Sequence, residues 1–272
     1  MKCSIIICFY ERIDYLRRCL DSLTICGDDF DEVVIADDGS SVPVVHALND
    51  LIQEYPFPVV HAYLPRQGAR RAACRNQGIR NATGDYLIFM DADFLVLPGA
   101  IRAHRQAAAP GRYVAGRCKY LTEAQSQRVL SAPISVSLLE ELYQQLPDRP
   151  VVRDHREFVR YGILRRFGLA SARRQTFGGH YSVYKRDMER INGYDENFVG
   201  WGGEDLDIAL RMNLAGFKGR SAILAARMLH VWHPKELGGA HWKEGPNIDY
   251  FNRKNIPFYC ENGLHKSSPY DA

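Results

Sequence analysis

Uninterrupted apolar runs alternate with helically spaced ones through the first hundred residues. Residues 4–9 are short, Ile-rich and unbroken, the pattern of a strand covered on both faces. Tyr15, Leu16, Cys19, Leu20 and Leu23 then recur at helical spacing, and residues 32–36 repeat the strand pattern before the turn Asp37-Asp38-Gly39-Ser40-Ser41. A second helix is predicted over 44–55, stopped by Pro56 and Pro58, with a third strand over 59–63. A third helix is predicted over 68–81, its Ala72, Ala73 and Ile79 facing inward, and a fourth buried strand over 86–90 runs into Asp91-Ala92-Asp93. This alternation predicts an α/β fold with an open, mostly parallel sheet, whose ligands bind beyond the carboxyl ends of the strands.

The pattern weakens over 102–174. One strand is predicted there at 113–118, followed by amphipathic stretches around 134–146 and a basic region ending at Arg173 and Arg174. Order returns with the turn Phe177-Gly178-Gly179, a strand over 181–184 and a dense segment over 193–211 that runs into a predicted helix at 206–214. No repeat, low-complexity tract or linker divides the chain. The expectation is one domain over 1–272, with a nucleotide-binding half at 1–100, an acceptor half at 175–235 and a covering tail at 236–272.

Composition narrows the function classes. Of the 272 residues 46% are hydrophobic and 25% charged, as in ordinary folded proteins and unlike disordered or disulfide-scaffold chains. The net charge of +3, from 35 basic and 32 acidic residues, is too balanced to imply nucleic acid as a partner. Seven cysteines with no C-x-x-C pair signal neither a zinc site nor a disulfide framework, which fits a reducing cytoplasm. The apolar run near Met1 is too short for a signal peptide or a membrane span, and no stretch reaches eighteen apolar residues. Association with a membrane is therefore expected to be peripheral.

Two turns carry candidate chemistry. Asp91 and Asp93 follow an apolar strand, where backbone geometry can aim two carboxylates at one point, and hard cations such as magnesium or manganese take such oxygen ligands together with substrate phosphates. Alone, the pattern is equally a pair of turn or capping aspartates. Asp38 follows a neighbouring strand, where a carboxylate can accept a hydrogen bond from a nucleobase imide, and Gly39 permits a sharp turn. Two such turns at the ends of neighbouring strands are harder to read as punctuation.

Cys8-Phe9-Tyr10-Glu11-Arg12, Ala36-Asp37-Asp38-Gly39-Ser40, Cys74-Arg75-Asn76-Gln77-Gly78-Ile79, Ala82-Thr83-Gly84-Asp85-Tyr86 and Asp91-Ala92-Asp93 resemble, in order and spacing, the family-2 glycosyltransferases of GT-A fold. Phe177-Gly178-Gly179, Ile191-Asn192-Gly193-Tyr194-Asp195-Glu196 and Gly200-Trp201-Gly202-Gly203-Glu204-Asp205-Leu206-Asp207 resemble the acceptor-side segment of galactosyl- and N-acetylgalactosaminyltransferases. Chondroitin-polymerase-like bacterial enzymes combine both halves. Phe94 departs from the pattern, since many family members carry another aspartate there.

The resemblance implies a UDP-sugar donor, with Tyr10 and Asp38 bordering the uracil, Arg75 near the nucleotide and phosphates, Asp91 and Asp93 facing the ribose, metal and diphosphate, and Glu11 and Ala92 also donor-binding. It implies an acceptor surface of Gly179, Trp201, Gly202 and Gly203, with Asp205 as base and Glu204 sharing the task. It also implies that His230, or in reserve His233, joins Asp93 in holding manganese or magnesium. Buried-core and helix-cap roles compete for Trp201, Glu204 and Asp205. A solvated helix face is the expectation for Arg66, Arg70 and Arg71, and a mobile cover for Gly238, Gly239, His241, Trp242 and Lys243. The implied reaction is inverting transfer to a hydroxyl of a glycan or lipid-linked saccharide in bacterial surface polysaccharide synthesis. The rival readings are a sugar-nucleotide nucleotidyltransferase, whose basic amino-terminal phosphate loop is missing here, and a noncatalytic sugar-binding module.

Overall fold

The computed structural model describes residues 1–200, 202–234 and 245–266. The first half is built as expected: β1 (Cys3–Phe9), α1 (Ile13–Thr24), β2 (Glu32–Asp37), α2 (Val42–Leu51), β3 (Val59–Tyr63), α3 (Arg71–Asn81) and β4 (Tyr86–Asp91). The period of two along β1 decides its packing. Ile5 and Ile7 enter one core with Leu16, Leu20 and Leu23 of α1, while Ile6 enters the opposite core with Ile79 of α3.

The less legible middle supplies β5 (Phe94–Val96), α4 (Ala100–Ala107), β6 (Arg112–Ala115), β7 (Arg117–Tyr120), α5 (Glu123–Ser131), α6 (Val136–Gln145) and α7 (Arg149–Arg166). The remainder supplies β8 (Tyr181–Tyr184), α8 (Lys185–Arg190), α9 (Glu204–Leu214), β9 (Lys218–Ser221), β10 (Arg227–His230) and α10 (Ile248–Phe251).

The large sheet runs β3-β2-β1-β4-β8-β6-β9. Strands β3, β2, β1 and β4 are parallel, with Phe9 beside Asp37 and Cys8 beside Asp91, while β8 is antiparallel to both its neighbours. The chain moves outward from β1 through β2 to β3 and then returns to place β4 on the other side of β1. Ligands of open α/β sheets bind at such a reversal, and here it collects the ends of β1, β2 and β4.

A small sheet, β5-β10-β7, stands beside this point. Its register sets His230 against Phe94, and the Val231 amide donates to the Asp93 carbonyl (2.9 Å). Leu138, Leu139 and Leu142 of α6 cover it through Leu229 and Val231.

The single strand expected over 113–118 is two, β6 and β7, in different sheets. The break falls at Gly116, where an added Cβ would lie 1.8 Å from His180 Cε1. His180 is buried, and its Nε2 lies 3.1 Å from the Arg117 carbonyl, to which only an N–H can bond. His180 Nδ1 must then accept from His104 Nε2 (2.9 Å), leaving His104 Nδ1 to accept from Ser182 (2.7 Å). Burial lowers the pKa of both imidazoles, His180 to about 4, so this directed chain stays neutral. Gly116→Ala is expected to cost about 1–3 kcal/mol of unfolding free energy, as overpacking does; a urea midpoint equal to wild type would remove the close-approach explanation.

Candidate active site

The β1 and β2 ends are tied to each other. Glu11 holds φ +60°, a left-handed backbone uncommon outside glycine, and its carboxylate accepts from the Ser41 amide (2.6 Å) and hydroxyl (3.1 Å). Its own amide donates to Ser40 Oγ (3.0 Å). Glu11, expected to border the donor, therefore braces the second turn. The Asp pair divides its labour: buried Asp37 bonds Ser40 and His61, whereas Asp38 Oδ2 accepts from the Arg70 amide (2.9 Å) and Arg66 Nη1 (3.1 Å). Asp38 Oδ1 is buried with no hydrogen-bond partner among the described residues. Gly39 has φ +81°, and a Cβ there would lie 2.5 Å from the Arg66 amide nitrogen, so both backbone shape and close approach exclude a side chain.

These turns open onto a cavity lined by Cys8, Phe9, Tyr10, Arg12, Tyr15, Asp38, Arg66, Ala69, Arg71, Asp91, Ala92 and Asp93. The solvated face expected of Arg66, Arg70 and Arg71 is corrected for Arg66 and Arg71, which line the cavity, whereas Arg70 bonds Gln67 at the exposed surface. The Arg66 guanidinium lies 3.8 Å over the Tyr10 ring, and half-buried Arg71 lines the cavity wall. Arg71 precedes Arg75 by four positions, so both project from one face of α3; that spacing was the available signal.

Arg75 joins the two halves of the chain. Only 5% exposed, it donates through Nη2 to Asp91 Oδ1 (3.1 Å) and through Nη1 to Glu204 Oε1 (3.1 Å), and its Nη1 lies 3.2 Å from Asp205 Oδ1. The neighbouring Asn76 pairs its amide with the backbone N–H and C=O of Tyr194 (both 2.8 Å), and the Gly200 amide donates to the Ala69 carbonyl. Gly203 precedes α9 at φ +97°, and an added Cβ would lie 2.9 Å from Phe198, so the turn that aims Glu204 and Asp205 needs glycine.

Glu204 is buried, whereas the Asp205 side chain keeps 42% of its surface exposed beside Arg75. The Asp205 carboxyl is nonetheless raised to about 6. Burial of the carboxyl among packed atoms is the largest cause; Arg75 opposes it, and the Glu204 and Asp91 carboxylates add to it.

Asp93 Oδ2 lies 3.5 Å from His230 Nε2 and 3.2 Å from His233 Nε2, and the three side chains offer ligand atoms within 4.8 Å of one another. Asp93 Oδ1 is buried and has no hydrogen-bond partner among the described residues. Burial would raise this carboxyl, but His233, His230 and Arg71 outweigh it and hold it below its ordinary value. Adjacent ligands of an ion bound at about 2.1 Å sit about 3 Å apart, so the residues present fit a divalent cation. One carboxylate with two imidazoles suits manganese better than calcium. Both histidines, the first choice and the reserve, stand within reach of Asp93.

Gly179 is exposed one ring away from this cluster: an added Cβ would lie 3.2 Å from Phe94, whose ring meets His230 edge-on at 5.4 Å. Gly202 stands beside Gly203 and its carbonyl accepts from Asn247 (2.8 Å). Trp201 and the cover expected at Gly238, Gly239, His241, Trp242 and Lys243 lie outside the described residues. Sequence reasoning passed over Tyr15, whose hydroxyl donates to the Trp232 carbonyl (3.3 Å) and whose ring lies 6.4 Å from His233. As a core position of an amphipathic helix it carries no separate signal.

A crevice at the reversal of a parallel sheet, with carboxylates at the ends of β2 and β4 and an acid pair opening the helix opposite, is the arrangement of a GT-A glycosyltransferase. The fold is shared with GalNAc-T7 solved with UDP, GalNAc and Mn2+, at 15% identity and a TM-score of 0.59, covering 91% of this chain and 45% of that one. Residues 4–167 match glycosyl transferase family 2, and residues 161–234 match the N-terminal domain of galactosyltransferase. The chain belongs to glycosyl transferase family 2.

Validoxylamine A glucosyltransferase of Streptomyces hygroscopicus subsp. jinggangensis is 30% identical over 224 residues, 78% of this chain and 51% of that protein. Chondroitin synthase of Escherichia coli is 25% identical over 270 residues, 94% of this chain and 38% of that protein. The chain thus spans about half the length of the first of these relatives and less of the second.

Proposed function

We propose that the chain transfers a hexose or N-acetylhexosamine from a UDP-sugar to a hydroxyl of a glycan or lipid-linked saccharide, with inversion, in surface polysaccharide synthesis. One observation carries the reading: Arg75 bonds Asp91, which lines the cavity, and also Glu204 and Asp205, so one guanidinium joins the acids read as donor-side to those read as acceptor-side.

In this reading Tyr10 borders the uracil, and Asp38 Oδ1, otherwise without a partner, accepts its imide proton. Arg71 faces the diphosphate as a fixed positive charge. A divalent cation held by Asp93, His230 and His233 would act as a Lewis acid that neutralises charge on the departing nucleotide. Asp205 accepts the acceptor hydroxyl proton as that oxygen bonds to the anomeric carbon and the bond to the diphosphate oxygen breaks, and this single displacement inverts the centre. Glu204, buried against Arg75, holds the guanidinium and tunes Asp205. Gly179, Gly202 and Gly203 leave room for the acceptor.

The test is thermal unfolding with nucleotides. UDP at about a hundred times its Kd is expected to stabilise the protein by about 2.7 kcal/mol, roughly 5–10 °C at this size, with manganese present and little with a chelator. Equal stabilisation in both conditions, or none from UDP, sinks the reading. His230→Ala and His233→Ala are each expected to weaken manganese binding at least tenfold, roughly the scale of ligand-shell losses, by calorimetric titration. A His233 variant with wild-type affinity would leave His230 and Asp93 as the only protein ligands.

A further inference from the structure

Helix α7 and the turn after it present an exposed apolar face that is strongly positive. Val159, Ile163, Phe167 and Leu169 are 40%, 55%, 70% and 71% exposed. At about 100° per residue, Val159, Ile163 and Phe167 fall within roughly 80° of one another, with Arg156 and Arg160 inside or beside that sector. Buried Val151 and Phe158 anchor the opposite side of the helix. Residues 149–174 hold eight arginines against two acids, a net +6 in a chain whose total is +3. One of those acids, Asp154, is held between Arg117 and Arg153. This segment therefore carries more positive charge than the whole chain nets, beside Phe167 and Leu169, the most exposed large apolar side chains among the described residues apart from none.

We infer that this face of α7 docks the protein on an anionic lipid bilayer. Charge complementarity selects that occupant: arginines interleaved with aliphatic and aromatic side chains on one exposed helix face match headgroup phosphates above an apolar layer. A second copy of the chain would bring the like charges of Arg156 and Arg160 against each other. A small phosphate anion would have no use for Ile163, Phe167 and Leu169. Among the described residues no helix is long and apolar enough to cross a membrane, so attachment through this face is peripheral. The surface does not rest on the transfer reading. If that reading also holds, the chain leaves the docked face and reaches the Phe177–Gly179 turn ten residues after Phe167, which would bring a lipid-linked acceptor beside the cleft.

The experiment is sedimentation of the full chain with vesicles of phosphatidylcholine alone or with about 30% phosphatidylglycerol. Binding is expected only with the anionic lipid, and it should fall as salt shortens the screening length. Arg156→Glu with Arg160→Glu, and separately Ile163→Ser with Phe167→Ser, are each expected to lower the partition coefficient roughly tenfold or more. The thermal shift caused by UDP and manganese should stay as in wild type, which keeps loss of docking distinct from loss of folding or donor binding. Equal binding to both vesicles, no binding to either, or undiminished binding by both double variants overturns the proposal. Capture by polyglutamate in place of vesicles overturns it in favour of an acidic protein partner.

Discussion

Asp205→Asn is expected to lower sugar transfer by about 10²–10⁴-fold, the usual worth of a positioned general base, while UDP still binds. Asp205 touches Arg75 at 3.2 Å and keeps 42% of its side chain exposed, and in the proposed reading it serves the acceptor and not the nucleotide. Its carboxyl, raised to about 6, must be ionised to take a proton, so wild-type transfer should fall as pH drops through about 6.

The same shift gives an independent stability readout. The folded value lies above the ordinary 3.8, so the ionised carboxylate costs stability at neutral pH, and the cost fades as pH falls through 6 towards 3.8. The Asn variant should therefore melt higher than wild type at pH 7 and equally near pH 3.5. Undiminished turnover of the variant would remove Asp205 from the base role; a melting difference independent of pH would remove the raised carboxyl.

Arg75→Ala is the second large effect, and it falls on folding. Removing the guanidinium leaves buried Glu204 beside Asp91 and Asp205 with no cation between them. Breaking a buried ion pair from one side costs about 3–5 kcal/mol, roughly 10 °C or more of melting temperature for a chain of this size. Arg75→Lys keeps the charge but cannot span Asp91 and both acids with one fork, so an intermediate loss is expected. A melting temperature within 2 °C of wild type for Arg75→Ala, roughly the scale of a surface substitution, would show that the three carboxylates are solvated and that Arg75 does not join the halves.

Much of residues 1–100 is legible from pattern alone. The runs at β1, β2 and β4 are apolar on both faces, which only a covered parallel strand requires, and the motif turns fall at their carboxyl ends. The middle resists this reading because its determinants are contacts between distant residues. Nothing local in 113–118 announces that Gly116 yields its side-chain space to His180, and that contact splits one apparent strand between two sheets. Arg71 looks like surface because charged helix residues usually are; its placement in the cavity depends on where β4 and Asp91 arrive.

Hydrophobic periodicity and the motif residues by themselves determined the class of fold and the strands that frame the crevice, and they singled out a set of acids. Tertiary structure decided which of those acids meet. The pairing of β10 with β5 brings both histidines to Asp93, and the fork of Arg75 binds carboxylates 16 and about 130 positions away. The physical reason is range: periodicity records what each residue needs from the solvent boundary, whereas a charge buried in the interior is satisfied only by partners that folding carries to it.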